Sequence, residues 1–292
     1  MTASASVEIA IVGAGVVGLA TALRLAGEGR EVMLIDPNEP GSGASFGNAG
    51  TLAEYACVPV GTPAVLRALP KLLLDPDSPF ALRWPALFQL APWLARFARQ
   101  SLPGATRANA AALAGLLGDA LPAWQDMAAE AGATDLLRRN GCLYLFRQSG
   151  DVAASAPSRQ LRAEFGVHQQ ILDPAAVAAL EPRLPPVSGG GLYFPDSLNV
   201  TDPSVLMRRL FDAASARGVT FQRARVTGLE IDGSGVRLSG PDFGVTSSKA
   251  VIAAGAFSRP LAAQAGDRIP LETERGYHLE FPTDVPLLTR PV

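Results

Sequence analysis

The sequence is poor in the residues that hold metals and cross-link chains. Its 292 residues include two cysteines, Cys57 and Cys142, and two histidines, His168 and His278. The four match no metal-ligand spacing, so no zinc or iron site is expected. A disulfide framework is not expected either, and a reducing compartment fits. Lysine is as scarce: Lys71 and Lys249 are the two present, and arginine supplies the other basic side chains. Neither sign of charge dominates, the formal net charge being −2. Without a basic excess there is no electrostatic footprint for nucleic acid. No stretch reaches 18 uninterrupted apolar residues, so no transmembrane helix is expected. The apolar N-terminus, MTASASVEIAIVGAGVVGLATALRLAG, lacks a positive leader region, and Glu8 interrupts the start of its apolar run. Both features argue against a signal peptide.

What remains is an ordinary globular composition, 48% hydrophobic and 18% charged, in a chain long enough for one large domain or two intertwined ones. Val7 to Val12 is a short β-branched run that reads as a buried strand of a parallel sheet. Gly13 to Gly18 turn the chain, and Val16 to Gly27 repeat apolar residues at helical spacing. Val32 to Ile35 form a second buried strand ending at Asp36, completing a βαβ unit. Residues 58–131 read as mainly helical, broken into short pieces by Pro63, Pro70, Pro76, Pro79, Pro85, Pro92, Pro103 and Pro122. Within them, FALRWPALFQLAPWLARFARQ (Phe80 to Gln100) reads as an amphipathic helix pair packed on a core, with a peripheral membrane contact as the alternative.

Strands follow at Cys142 to Arg147, His168 to Leu172 and Gly190 to Phe194. Asp173-Pro174 and Asp202-Pro203 each open a helix with a capping Asp and a Pro in the first turn. Val219 to Gln222 is strand-like, and VTGLEIDGSGVRLSG is a hairpin turning at Asp232-Gly233-Ser234-Gly235. Ala250 to Ala254 form another buried strand, then Gly255 and a helix from about Ser258. Tyr277 to Phe281 is strand-like.

Two features carry chemistry. In Gly13-x-Gly15-x-x-Gly18 the first glycine permits a tight turn, the second lets a pyrophosphate approach the backbone, and the third lets helix and strand pack closely. The helix N-terminus then presents free N–H groups and a positive dipole end to the phosphates. Asp36, 23 residues after Gly13, can accept hydrogen bonds from ribose hydroxyls, and its charge disfavours the 2′-phosphate of NADP. The second feature is GSGASFGNAG, with four glycines between Gly41 and Gly50. An NAD enzyme would have a short turn here. A long loop offering backbone N–H groups, Ser45 and Asn48 suits a second phosphate and a flavin edge better.

With S-F-G-N-A-G the sequence resembles the FAD-dependent D-amino-acid oxidase/dehydrogenase family, which includes glycine and sarcosine oxidases. Further stretches carry the resemblance in order: GCLYLF at Gly141 to Phe146, GGGLYFPDSLNVTDPSVLMRRLFDAASARGVTF, AVIAAGAFS at Ala250 to Ser258, and IPLETERGYHLEF at Ile269 to Phe281. The last is closest to the bacterial D-amino-acid dehydrogenase branch. The resemblance implies an α/β fold. It comprises a Rossmann-like, glutathione-reductase-type FAD-binding domain, discontinuous over residues 1–60 and 197–268. A substrate domain over residues 61–196 and 269–292 is built on a mixed, largely antiparallel sheet. FAD is the implied cofactor. Gly13, Ala14, Gly15, Val16, Val17, Gly18 and Asp36 would hold its ADP half. Ser45, Asn48, Ala49, Gly50 and Thr51 would hold pyrophosphate and flavin. Val226, on the strand after Phe221, would contact the adenine region, and Ala254 and Gly255 would pass close to the cofactor.

The implied reaction is oxidative deamination of a D-amino acid, with hydride transfer from the α-carbon to flavin N5. The alternatives are glycine, sarcosine or a 2-hydroxy acid as substrate. No general base is nominated, because hydride transfer requires none. For the substrate carboxylate, Arg275 and Tyr277 are expected on one face of the strand RGYHLEF, with Tyr55 as a further pocket residue and Tyr193 a weaker one. The electron acceptor is left open among oxygen, quinone and another carrier. The expected location is cytoplasmic, with peripheral contact at the inner membrane face as the alternative. Family members continue for about another domain's length, so the C-terminal part of the substrate domain is expected to be missing. An inactive fragment, or one subunit of a complex, is the reading of another class.

Overall fold

The structure, a computed structural model, describes residues 5–74, 85, 87–273, 276–279 and 281–292. In chain order the elements are β1 (Ala5–Val12), α1 (Val16–Gly27), β2 (Val32–Asp36), β3 (Thr51–Leu52), α2 (Pro63–Leu74), α3 (Leu87–Gln100), α4 (Pro103–Leu117), α5 (Ala120–Glu130), β4 (Leu137–Arg138), β5 (Cys142–Leu145), α6 (Ser149–Ala154), α7 (Ala156–Glu164) and β6 (Gln170–Leu172). They continue with α8 (Pro174–Leu180), β7 (Gly191–Phe194), β8 (Leu198–Val200), α9 (Pro203–Ala216), β9 (Thr220–Arg223), β10 (Gly228–Asp232), β11 (Gly235–Gly240), β12 (Phe243–Ile252) and α10 (Ser258–Gln264).

The chain divides into two units. The first comprises Met1–Gly50, Trp124–Arg138 and Val200–Asp284; the second comprises Thr51–Ala123, Arg139–Asn199 and Val285–Val292. Relative to the expected boundaries, the first division falls after Gly50 rather than residue 60, residues 124–138 join the first unit, and its last segment runs to Asp284.

The first unit is built on a six-stranded sheet of order β10-β11-β12-β1-β2-β9. β12, β1, β2 and β9 run parallel, and β10 and β11 add an antiparallel hairpin at one edge. β1 lies central, and Ile9, Ala10, Ile11 and Val12 are buried on both faces, as a parallel strand with an unbroken apolar run must be. α1 buries Leu19, Ala22, Leu23 and Ala26, one helical stripe, and packs against α9. Asp202 caps α9 through the N–H of Val205 at 3.0 Å, with Pro203 at the first helical position, as the Asp-Pro pair predicts.

In the second unit β5, β7 and β6 form an antiparallel sheet of order β5-β7-β6. Its apolar core joins Tyr55, Cys142, Leu192 and Phe194. The Asp173-Pro174 cap of α8 forms as expected, Asp173 accepting from Ala176 at 2.7 Å. Two expectations about proline fail here. Pro70 and Pro92 lie inside α2 and α3 rather than ending them. An interior proline removes one donor from the helical ladder, and in both helices the remaining turns close around the gap. Pro76 and Pro79 lie outside the described residues.

The strand expected from Tyr277 to Phe281 is a further correction. Residues 276–279 have no regular structure, and Tyr277, Leu279 and Phe281 are all exposed. Alternating polar and apolar residues specify a strand only where a neighbour supplies the hydrogen bonds and a core covers one face. Among the described residues neither is present around 276–279.

Candidate functional site

β1 leads straight into the glycine turn. The N–H of Gly13 donates to the Ile35 carbonyl of the neighbouring strand at 2.8 Å, and the chain then reverses with Gly13 at φ +110°. A side chain there would collide with the backbone carbonyl of Ala253, which follows β12. A side chain on Gly18 would collide with the carbonyl of Gly13. The first and third glycines are therefore fixed by the packing of the protein on itself. Gly15 is different. Its φ is −77°, and an added Cβ would meet only the Ser45 hydroxyl, at an ordinary contact distance of 3.5 Å. Nothing among the described residues requires glycine at that position, which stands at the start of α1.

Gly15 caps α1 with no side-chain hydrogen bond of its own. The Ser45 hydroxyl accepts from the N–H of Val16 at 3.1 Å. Asp36 sits at the end of β2, one carboxylate oxygen accepting from the N–H of Ala14 at 2.9 Å and the other from Asn38 at 2.8 Å. Each oxygen keeps a further lone pair for an outside donor. The first unit thus gathers the Gly13–Gly18 turn, a dipole end, a half-buried carboxylate and a hydroxyl at one place. This donor set fits a dinucleotide: free N–H groups and a dipole for phosphates, a carboxylate for sugar hydroxyls.

The loop after Pro40 is ordered by backbone bonds. Gly41 donates to the Ala14 carbonyl at 2.8 Å, and Val200 donates to the Gly50 carbonyl at 2.7 Å. Asn48 turns its side chain onto the N–H of Gly50 at 2.9 Å. Asn48 and Ala49 are exposed. Val226 lies in the irregular connection between β9 and β10, not on a strand, and packs its side chain on the core with Ala254. Gly255, at φ +55°, has open space where a side chain would stand.

The expected substrate residues are divided between the two units. Arg275 lies outside the described residues. Tyr277 belongs to the first unit and is 85% exposed. Thr51 and Tyr55 belong to the second unit. Tyr55 is buried, stacks on Phe194 with ring centroids 4.0 Å apart, and donates its hydroxyl to the Cys142 sulfur at 3.0 Å. Burial and that bond push its phenol far above the usual range. Tyr55 is thus a packed core residue of its unit. Tyr193 donates to the Asn140 carbonyl at 3.3 Å and carries the Arg290 guanidinium over its ring.

Sequence reasoning passed over two groups in the second unit. Glu54 has one carboxylate oxygen buried without a hydrogen-bond partner. Burial, more than the nearby charge of Asp196, lifts its pKa to about 7. Glu181 is 1% exposed and pairs with Arg290 at 2.6 Å, assisted by the N–H and hydroxyl of Thr289. Burial alone would raise its carboxyl; the bonds from Thr289 and Arg290 outweigh it and hold the group below the usual carboxylate range. Neither residue stands in a motif, and the only local signal was an acid beside apolar residues.

Comparison with known proteins bears on the first unit and the second alike. The family model described as FAD dependent oxidoreductase (DAO) matches residues 8–292. A D-amino-acid oxidase of Bradyrhizobium diazoefficiens is 37% identical over 279 residues, covering 93% of this chain and 65% of that protein. A D-amino acid dehydrogenase of Methylobacterium nodulans is 30% identical over 285 residues, covering 94% of this chain and 67% of that protein. The crystal structure of a glycine oxidase from Geobacillus kaustophilus superposes with a TM-score of 0.61 at 23% identity, covering 90% of this chain and 59% of that one. The chain thus spans about two thirds or less of the length of these relatives, and the structural likeness speaks for the fold.

Proposed function

The chain belongs to the family of FAD dependent oxidoreductases, and on that premise we propose that it holds FAD on the Gly13–Gly18 turn and oxidises a D-amino acid. The observation that carries the reading is Gly15. It is a glycine with no steric cause among the described residues, at a helix start with no side-chain cap of its own, beside a carboxylate with lone pairs to spare. The two relatives named as acting on D-amino acids supply the substrate class.

Bound FAD supplies a two-electron acceptor for the hydrogen on an amine-bearing carbon next to a carboxylate. The chain's own residues bind and orient. The N–H groups of Gly15, Val17 and Gly18 and the α1 dipole offset the pyrophosphate charge. Asp36 takes ribose hydroxyls and repels a 2′-phosphate. Ser45, Asn48, Ala49, Gly50 and Thr51 serve the second phosphate and the flavin edge, while Val226, Ala254 and Gly255 line the approach of the adenine and the ring. The first unit is the FAD-binding domain and the second the substrate domain. Glycine, sarcosine or a 2-hydroxy acid would take the same orientation, and oxygen, quinone or another carrier would receive the electrons.

The test is the visible absorption spectrum of the purified chain, before and after incubation with FAD. A flavin band that is retained through gel filtration and bleached by a D-amino acid is expected. A chain that stays colourless overturns FAD binding; a coloured chain that no D-amino acid bleaches overturns the substrate class.

For location we propose a cytoplasmic protein touching the inner membrane face through α3. No helix among the described residues is long and apolar enough to cross a membrane. α3 buries none of its residues, exposes Phe88 (91%) and Trp93 (58%), and carries Arg96 and Arg99 with no acid. That combination suits an anionic interface. Co-sedimentation with anionic vesicles, lost in a Phe88→Ser, Trp93→Ser variant, is expected; equal sedimentation of both proteins overturns it.

A further inference from the structure

The 41–50 loop is held at three left-handed glycines, and their surroundings differ. A side chain on Gly41 would strike Met207, buried on α9. One on Gly50 would strike the carbonyl of Val200, buried at the end of β8. These two points rest against Met207 and Val200, both residues of the first unit, and each is tied by a backbone hydrogen bond, to Ala14 and from Val200. Gly47, at φ +65°, has no such support. What stands in front of it is the ring of His278, with Cε1 2.8 Å and Nε2 3.1 Å from where a Cβ would lie. His278 is itself exposed, in a stretch without regular structure. Around Gly47 the loop is exposed too: Phe46 is 62% accessible, and Asn48 and Ala49 face solvent. The loop therefore has two ends tied to the scaffold by backbone bonds and Ser45 tied to the start of α1, while the nearest group in front of Gly47 is an imidazole 231 positions further along the chain.

We propose that His278 is a positioning residue for the cofactor loop: its ring, packed on Gly47, holds Phe46–Ala49 in the conformation that receives FAD. The proposal rests on the FAD reading above for its purpose, but not for its geometry. Gly47 leaves room for the ring, and the ring removes the freedom that an exposed glycine turn would otherwise keep. Gly47 and His278 both belong to the first unit.

Hydrogen exchange on the chain without added FAD tests the geometry directly. The Phe46 N–H bonds to the Gly43 carbonyl and the Gly50 N–H to the Asn48 side chain. His278→Ala is expected to speed exchange at both by tenfold or more while leaving the Gly41 and Val200 amides at their wild-type rates. His278→Phe, which keeps a ring of similar breadth, is expected to restore slow exchange. FAD dissociation, followed by flavin fluorescence, should be about tenfold faster from His278→Ala and near wild type from His278→Phe. Gly47→Ala gives an independent check: its thermal penalty should be smaller in the His278→Ala background, where the ring no longer fills the space. Unchanged exchange at Phe46 and Gly50 in His278→Ala overturns the proposal, as does an equal Gly47→Ala penalty in both backgrounds. If exchange responds as expected but neither protein binds FAD, the positioning role stands and the FAD reading falls.

Discussion

The glycine turn of the first unit and the Glu181–Arg290 pair of the second both place polar groups away from water, by opposite means. The turn is built mainly of backbone, with the Asp36 carboxylate and the Ser45 hydroxyl as its side-chain acceptors. Its strain and its close approaches are absorbed by residues that lack side chains, and its one carboxylate, Asp36, is satisfied by N–H groups at most two residues or one strand away. The pair uses side chains whose partners lie 108 and 109 positions apart in the chain. The turn tolerates solvent and a ligand at its open side. The pair tolerates neither loss of a partner nor entry of a ligand, because each charge depends on the other for its solvation. A device made of backbone can be left open for a cofactor; a device made of buried charge has to be closed.

The largest effect should come from opening the closed device. Arg290→Ala leaves the Glu181 carboxylate buried with only Thr289 as a donor, and a loss of about 3–5 kcal/mol is expected in urea unfolding. Replacing both partners by apolar residues, Glu181→Leu with Arg290→Met, should recover most of it. A single variant as stable as wild type would erase the contrast with the turn.

Next is a pair of substitutions within the turn. Gly13→Ala meets both a left-handed φ and the Ala253 carbonyl, and should cost about 2–3 kcal/mol. Gly15→Ala meets neither. It should change stability by less than about 1 kcal/mol yet weaken FAD binding tenfold or more in a fluorescence titration. If Gly15→Ala binds FAD as wild type does, the turn at Gly15 is not a phosphate site.

A smaller effect is expected from pH. Glu54 has its folded-state pKa lifted from 4.5 to about 7, so the fold favours its protonated form. The stability this gives is complete below about pH 4.5 and is lost as pH rises through 7. Glu181 behaves oppositely: its lowered pKa stabilises above the ordinary carboxylate range and is lost on acidification. Melting temperatures of Glu54→Gln should therefore lack the decline between pH 5 and 8 that wild type shows. An identical pH profile for the two proteins would remove Glu54 from the account. Smallest is Tyr55→Phe, which deletes the hydroxyl bonded to Cys142 but keeps the stacking on Phe194; about 1 kcal/mol is expected from thermal denaturation.

The legible parts of this molecule are those in which neighbouring residues cause the structure. The β1–α1–β2 unit, the Asp173-Pro174 and Asp202-Pro203 caps and the hairpin of β10 and β11 all follow from residues a few positions apart, and all form. Where the reading went astray, distant partners decided. The alternation in Tyr277 to Phe281 predicts a strand, but no strand among the described residues lies against residues 276–279. What packs Tyr55, beside the cofactor loop in sequence, is Phe194 and Cys142, far along the chain. Pro70 and Pro92 each predict a break, and the helices continue through them.

The sequence by itself determined the glycine turn, its helix and the acid at the end of β2, because a strand–turn–helix is set by backbone preferences that consecutive residues carry with them. It determined the family through the ordered stretches from Gly13 to Ser258. Only the tertiary structure decided that Gly13 and Gly18 serve packing while nothing among the described residues requires Gly15, that Glu181 finds Arg290, and that the ring of His278 comes to rest on Gly47. Those outcomes depend on which atoms occupy the space around a residue, and that space is filled by parts of the chain that no local pattern names.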